Sequence, residues 1–221
     1  MWLASVIGDR KMEYDELGKL SPFHLDVIRE TVNIGAGNAA TALSQLLGSV
    51  VTMDVPKAEL VSIYELTDRY ASPTELVCAV YLRFEGEISG NMLWIMSEET
   101  AQELVNILVK KDLGDLLQDQ IDQIADSLLV EVGNIVLSSF LNAISTMINC
   151  PLPVTVPAIA HDMLGAILDL LAAYYGMTGE VAIISETKLC VANNKNSLGG
   201  HVMLLPDPQS LSTLLSKLGV L

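Results

Sequence analysis

Glu30 and Asn33 stand three residues apart in "ETVNIGAGNAATALSQLLG", and Glu131 and Asn134 repeat the pair in "EVGNIVLSSFLNAISTMIN". A carboxylate can pair with a lysine, and a neutral amide can donate to a water and accept from it. Such a pair can steer a reaction whose charged groups another molecule supplies. Neither pair is a self-sufficient catalyst, because no nucleophile has an adjacent base. His24, His161 and His201 lie outside both segments and read as surface or core histidines. The glycines of "NIGAGN" sit inside a helical pattern, without the GK[ST] of a phosphate loop or a preceding strand, so a nucleotide site is rejected.

The pairs belong to a longer repeat. Asp26, Glu30, Asn33 and Pro56 follow D-x3-E-x2-N-x22-P, and Ser127, Glu131, Asn134 and Pro157 follow S-x3-E-x2-N-x22-P, offset by 101 residues at all four positions. "EISGNMLWIM" and "SLGGHVMLLP" recur at 110, each before a helix start at Ser97 or Asp207. The extra residues of the second half fall near "HDMLGAILDLLAAYYG". A period of this length means a duplicated half-domain rather than a solenoid. Each half reads as a long helix, a strand entering the proline, two further strands and a closing helix.

The long helices are predicted over about Pro22–Leu47 and Asp122–Ile148. At about 100° per residue, Asp26, Glu30, Asn33, Gly37, Thr41 and Ser44 form one narrow stripe. Ser127, Glu131, Asn134, Ser138, Asn142 and Ser145 form the other. Val27, Ile28, Thr31, Val32 and Ile34 face away from the first, and Leu128, Leu129, Val132, Ile135 and Val136 from the second. Solvated helix faces ordinarily carry long Lys, Glu and Gln. Short side chains here leave a shallow lane in which a partner can approach Glu and Asn. The competing reading makes the lanes a helix–helix contact, at the cost of burying two glutamates without cations. The fold expected is α+β: an internally duplicated, pseudo-twofold α/β domain with a shared sheet and two long surface helices carrying the motifs. Residues 21–114 form the first half and 115–221 the second, in one compact domain; residues 1–20 are an N-terminal leader or docking segment outside the repeat.

The totals bound the function. A net charge of −15, with 12 Lys and Arg forming no patch, argues against nucleic acid. Mean hydropathy is +0.43, yet no run of 18 uncharged apolar residues occurs, so membrane insertion is not expected. Cys78, Cys150 and Cys190 are far apart among apolar neighbours, which reads as buried thiols in the reducing cytoplasm.

One substrate needs little more than a Glu–Asn pair. An aspartyl phosphate already carries its Mg²⁺ and lysine and lacks only an aimed water. The doubled [DS]-x3-E-x2-N-x22-P signature, with "NIGAGNAA" and "VGNI", closely resembles the CheC family of bacterial chemotaxis phosphatases from about Ser21 to the C-terminus. The resemblance points to the two-motif CheC type. The CheX type has one motif per chain, and the FliY type adds a switch domain for which no residues follow Leu221. It implies dephosphorylation of the response regulator CheY. Glu30 and Glu131 would pair with the regulator's lysine, Asn33 and Asn134 would orient the hydrolytic water, and Asp26 and Ser127 fill the variable first position. Gly37 and Ser138 would line the partner's approach. Mg²⁺ would come with the regulator, so no cofactor of its own is implied. The family also implies a second partner, the deamidase CheD, near "HDMLGAI", where Asp162 is either the contact or a helix N-cap. The alternative is a non-catalytic adaptor that sequesters CheD and binds phosphorylated CheY.

Overall fold

In this computed structural model the described residues are 22–63, 66, 72–112, 117–175, 181–192, 194, 197–207 and 210–219. The leader reading of residues 1–20 and the boundary at 114/115 lie outside them. In chain order the elements are α1 (Pro22–Leu47), β1 (Val51–Ser62), β2 (Leu76–Phe84), β3 (Gly90–Ser97) and α2 (Glu98–Asp112). The second half gives α3 (Gln118–Ile148), β4 (Ala158–Met163), α4 (Leu164–Tyr175), β5 (Val181–Val191), β6 (Ser197–Pro206) and α5 (Ser210–Lys217). Apart from α4, each half follows the same order among the described residues.

Local chemistry sets most boundaries. Pro22 opens α1 at a position where its missing N–H costs nothing, and Gly48, with φ +57°, ends it. Ser97 Oγ accepts the Thr100 N–H at 3.2 Å and caps α2, as the sequence predicts. α3 begins four residues earlier than expected, because the Gln120 side chain accepts the Leu117 N–H at 3.0 Å. Asn149, with φ 49°, closes it. β1 runs through Pro56, with a register shift between Asp54 and Lys57 that absorbs the missing donor. β4, by contrast, starts only after Pro157.

The six strands form one antiparallel sheet in the order β1-β5-β6-β3-β2-β4. The order is a palindrome of the repeat, in which β1 corresponds to β4, β5 to β2 and β6 to β3. Each half therefore gives its first strand to the other half's edge. At the centre Leu93 faces Met203, its own counterpart at the 110-residue offset, so the pseudo-twofold passes between β3 and β6. The expected shared sheet is present.

Two clusters cover its two faces. On one, Val80, Leu82, Phe84, Met92, Trp94 and Met96 pack beneath α1, α2, α3 and α5. On the other, Ala79, Leu93, Ile95, Met203 and Leu205 pack beneath Leu164, Ile167, Leu168 and Tyr175 of α4. The helix Gln118–Ile148 is long and apolar enough by composition to cross a membrane. Its Leu129, Val132, Val136, Leu137 and Phe140 are buried in the first cluster.

Candidate active site

α1 turns Ile28, Val32, Ala36, Ala39, Leu43 and Leu47 into the core at helical spacing. That choice leaves Asp26, Glu30, Asn33, Gly37 and Thr41 exposed, with Ser44 half-buried. α3 buries Leu129, Val132, Val136, Leu137 and Phe140 and leaves Ser127, Glu131, Asn134 and Asn142 exposed, with Ser138 and Ser145 half-buried. Both motif pairs thus stand on the outer surface of the same helical layer. The helix-contact reading of the lanes fails. α1 and α3 do touch, but through Gly35, where an added Cβ would lie 2.8 Å from Phe140 Cα. Gly37, two residues on, faces open space with nothing within 4 Å. The two glycines of "NIGAGN" therefore have different jobs. Gly35 admits α3, and Gly37 packs against nothing. Ile34, expected in the core, is 42% exposed beside Asn33.

Within each stripe the neighbours differ. Asp26 accepts from Arg29 at 2.7 Å, an exposed pair of small energetic weight. Ser138 Oγ donates to Asn134 Oδ1 at 3.2 Å, whereas the residue four after Asn33 is Gly37. Ser44 Oγ accepts the Val51 N–H at 2.9 Å, and Ser145 Oγ donates to the Cys150 carbonyl at 2.8 Å, so the far ends of both stripes hold the chain turning into the sheet.

Asp162 lies in β4, paired with Val77 of β2, and is exposed. It is no helix cap. The first N–H groups of α4, those of Leu164 and Gly165, donate to the carbonyls of Glu75 and Pro73, both at 2.8 Å. The carboxylate instead accepts the N–H of Met163 at 2.7 Å. Its neighbour His161 joins three elements, with Nδ1 2.6 Å from Glu98 of α2 and Nε2 3.3 Å from Asp126 of α3. Burial would lower its pKa, but the hydrogen bond and charge of Glu98, helped by Asp126, raise it above the ordinary histidine value. A histidine at this strand edge gave no sequence signal. Ser138 did have one, its i+4 spacing from Asn134. The cysteines also need a correction: Cys78 and Cys150 are buried, but Cys190 is exposed because the end of β5 turns it to the α4 face, beyond that face's apolar cluster.

The motif residues lie outside the two larger grooves found among the described residues. Grooves of about 410 Å³, lined by Tyr81, Leu93, Leu170 and Tyr174 among others, and about 290 Å³, lined by Glu75, Glu186 and His201 among others, include no stripe residue. Among the described residues no group of three His, Cys, Asp or Glu could hold a metal ion. Exposed Glu–Asn pairs outside these grooves suit contact with another macromolecule better than enclosure of a small substrate.

Fold and site together define a class: a duplicated, twofold α+β domain whose exchanged strands support two motif-bearing helices. FliY of Thermotoga maritima superposes with a TM-score of 0.70 at 15% identity, over 90% of this chain and 98% of that one. The FliM middle domain of H. pylori gives 0.59 at 16%, over 90% and 99%. At these identities the likeness is one of fold. In sequence, the CheC-like family matches residues 23–60 and again 124–161, which begin and end at the 101-residue offset of the repeat. The CheY-P phosphatase CheC of Bacillus subtilis is 33% identical over 195 residues, 88% of this chain and 93% of the relative. The chain belongs to the CheC-like family.

Proposed function

We propose that this protein is a phosphatase of the response regulator CheY, hydrolysing its aspartyl phosphate at two equivalent surfaces. One observation carries the reading: the Glu–Asn pair occurs twice, exposed both times, on helices related by the twofold of the fold. The named activity of the Bacillus subtilis relative supports it. Glu30 or Glu131 pairs with the regulator's active-site lysine. Asn33 or Asn134 then reaches the phosphoryl group and holds a water in line with the P–O bond to the aspartate. The water oxygen bonds to phosphorus as the bond to the aspartyl oxygen breaks, releasing inorganic phosphate and a free carboxylate. Mg²⁺ belongs to the substrate and neutralises charge there; this chain supplies positioning. The reaction takes place in the cytoplasm. CheD is the second partner, docking at the β4 edge, with exposed Asp162 among its contacts.

Phosphate release from phosphorylated CheY tests the assignment. Asn33→Ala/Asn134→Ala should lose about 10²–10³ in rate while still binding the phosphorylated regulator. Asp162→Lys should abolish stimulation by CheD and spare basal turnover. A double asparagine variant with the wild-type rate would leave the protein a binding module.

A further inference from the structure

We propose that Ser138 is a positioning residue for Asn134, and that this contact, which the first site lacks, gives the Asn134 site the faster chemical step. The inference rests on the phosphatase reading above. The terminal torsion of an asparagine is broad and roughly two-fold, so an exposed amide samples many orientations. Ser138, one helical turn on, donates its hydroxyl to Asn134 Oδ1 at 3.2 Å and restricts that torsion. One lone pair of Oδ1 and both N–H groups stay available to a water. The amide plane is therefore set before the regulator arrives. The twofold-related position is Gly37, which has no hydroxyl to offer Asn33. Each productive encounter there must first fix the amide. This difference acts on the chemical step, since it concerns the amide and not the Glu that docks the regulator.

Single-site variants separate the sites. Asn33→Ala isolates the Asn134 site, and Asn134→Ala isolates the Asn33 site. With phosphorylated CheY at saturation, the first should have about fivefold the kcat of the second, the worth of one net hydrogen bond, at similar KM. Adding Ser138→Ala to Asn33→Ala should remove that advantage, and Ser138→Thr, which keeps the hydroxyl, should retain it. Conversely, Gly37→Ser added to Asn134→Ala should raise kcat, because a Cβ there meets nothing within 4 Å and the fold has room for it. Unfolding midpoints at the wild-type value would show that the variants are folded. An unchanged kcat on Ser138→Ala, or a change in KM alone, overturns the proposal. Wild-type turnover in Asn33→Ala/Asn134→Ala would instead overturn the underlying phosphatase reading, and the two failures are distinct.

Discussion

Glu30 and Glu131 each project from an exposed helix face one turn before an asparagine. A charge-assisted contact to a lysine is worth about 1.5–3 kcal/mol, enough to govern docking. Reversal to Glu30→Lys/Glu131→Lys should therefore weaken binding to the phosphorylated regulator by at least about tenfold, with melting unchanged because neither site is packed. Titration of the regulator trapped in its phosphorylated state checks it, and unaltered affinity would place the dock elsewhere. The exposed placement of these four motif residues was legible in the sequence, because identical spacing in two copies sets them on matching faces of two helices. What stayed hidden was how neighbours act on them. The serines and glycines of the stripes look alike as small residues, yet Ser138 holds Asn134 and Gly37 holds nothing. Composition alone does not record which small residue makes a bond.

Two glycines separated by one alanine set how the long helices sit. Gly35→Ala would place a methyl 2.8 Å from the backbone of Phe140, so α1 and α3 must part. Overpacking of that kind costs about 1–3 kcal/mol, more than the gain of about 1 kcal/mol in helix propensity. Gly37→Ala meets nothing and should stabilise by about 0.5–1 kcal/mol. Urea unfolding of the two variants should shift in opposite directions, and a common direction would refute this division of roles. The helices and hairpins were legible because their apolar periods are strong. Other boundaries depended on contacts across the fold. β4 begins after Pro157 in one half while β1 passes through Pro56 in the other, since only β1 carries the bulge. The start of α4 is held by carbonyls of residues 73 and 75, which no local pattern announces.

At the scale of the whole molecule, Arg83 at the end of β2 grips Asp207 beyond β6 with contacts of 2.6 and 3.2 Å, and Ser89 adds a third at 2.7 Å. This latch joins the two halves. Burial would raise the Asp207 carboxyl, but hydrogen bonds from Arg83 and Ser89, with the charge of Arg83, hold it below the usual carboxylate range. A lowered folded pKa contributes stability that is complete above the unfolded value of about 3.9 and is lost as pH falls through the folded value. Asp207→Asn should thus destabilise at pH 7 by about 1–3 kcal/mol, and the deficit should shrink as unfolding is followed down from about pH 5 to below 3. A deficit independent of pH would deny the latch its charge. The duplication itself was legible, but not which half pairs with which. The same alternation of apolar residues suits a half that closes its own sheet and one that exchanges its strand. The exchange has a consequence during synthesis. β1 leaves the ribosome ~120–140 residues before β5, which at about 5–20 residues per second is on the order of ten seconds. Through that interval the nascent chain carries a strand of alternating apolar and polar residues, with Val51, Met53, Val55 and Val61 destined for the core, whose hydrogen-bonding edge has no partner among the described residues of its own half and so stays open to pairing with another chain.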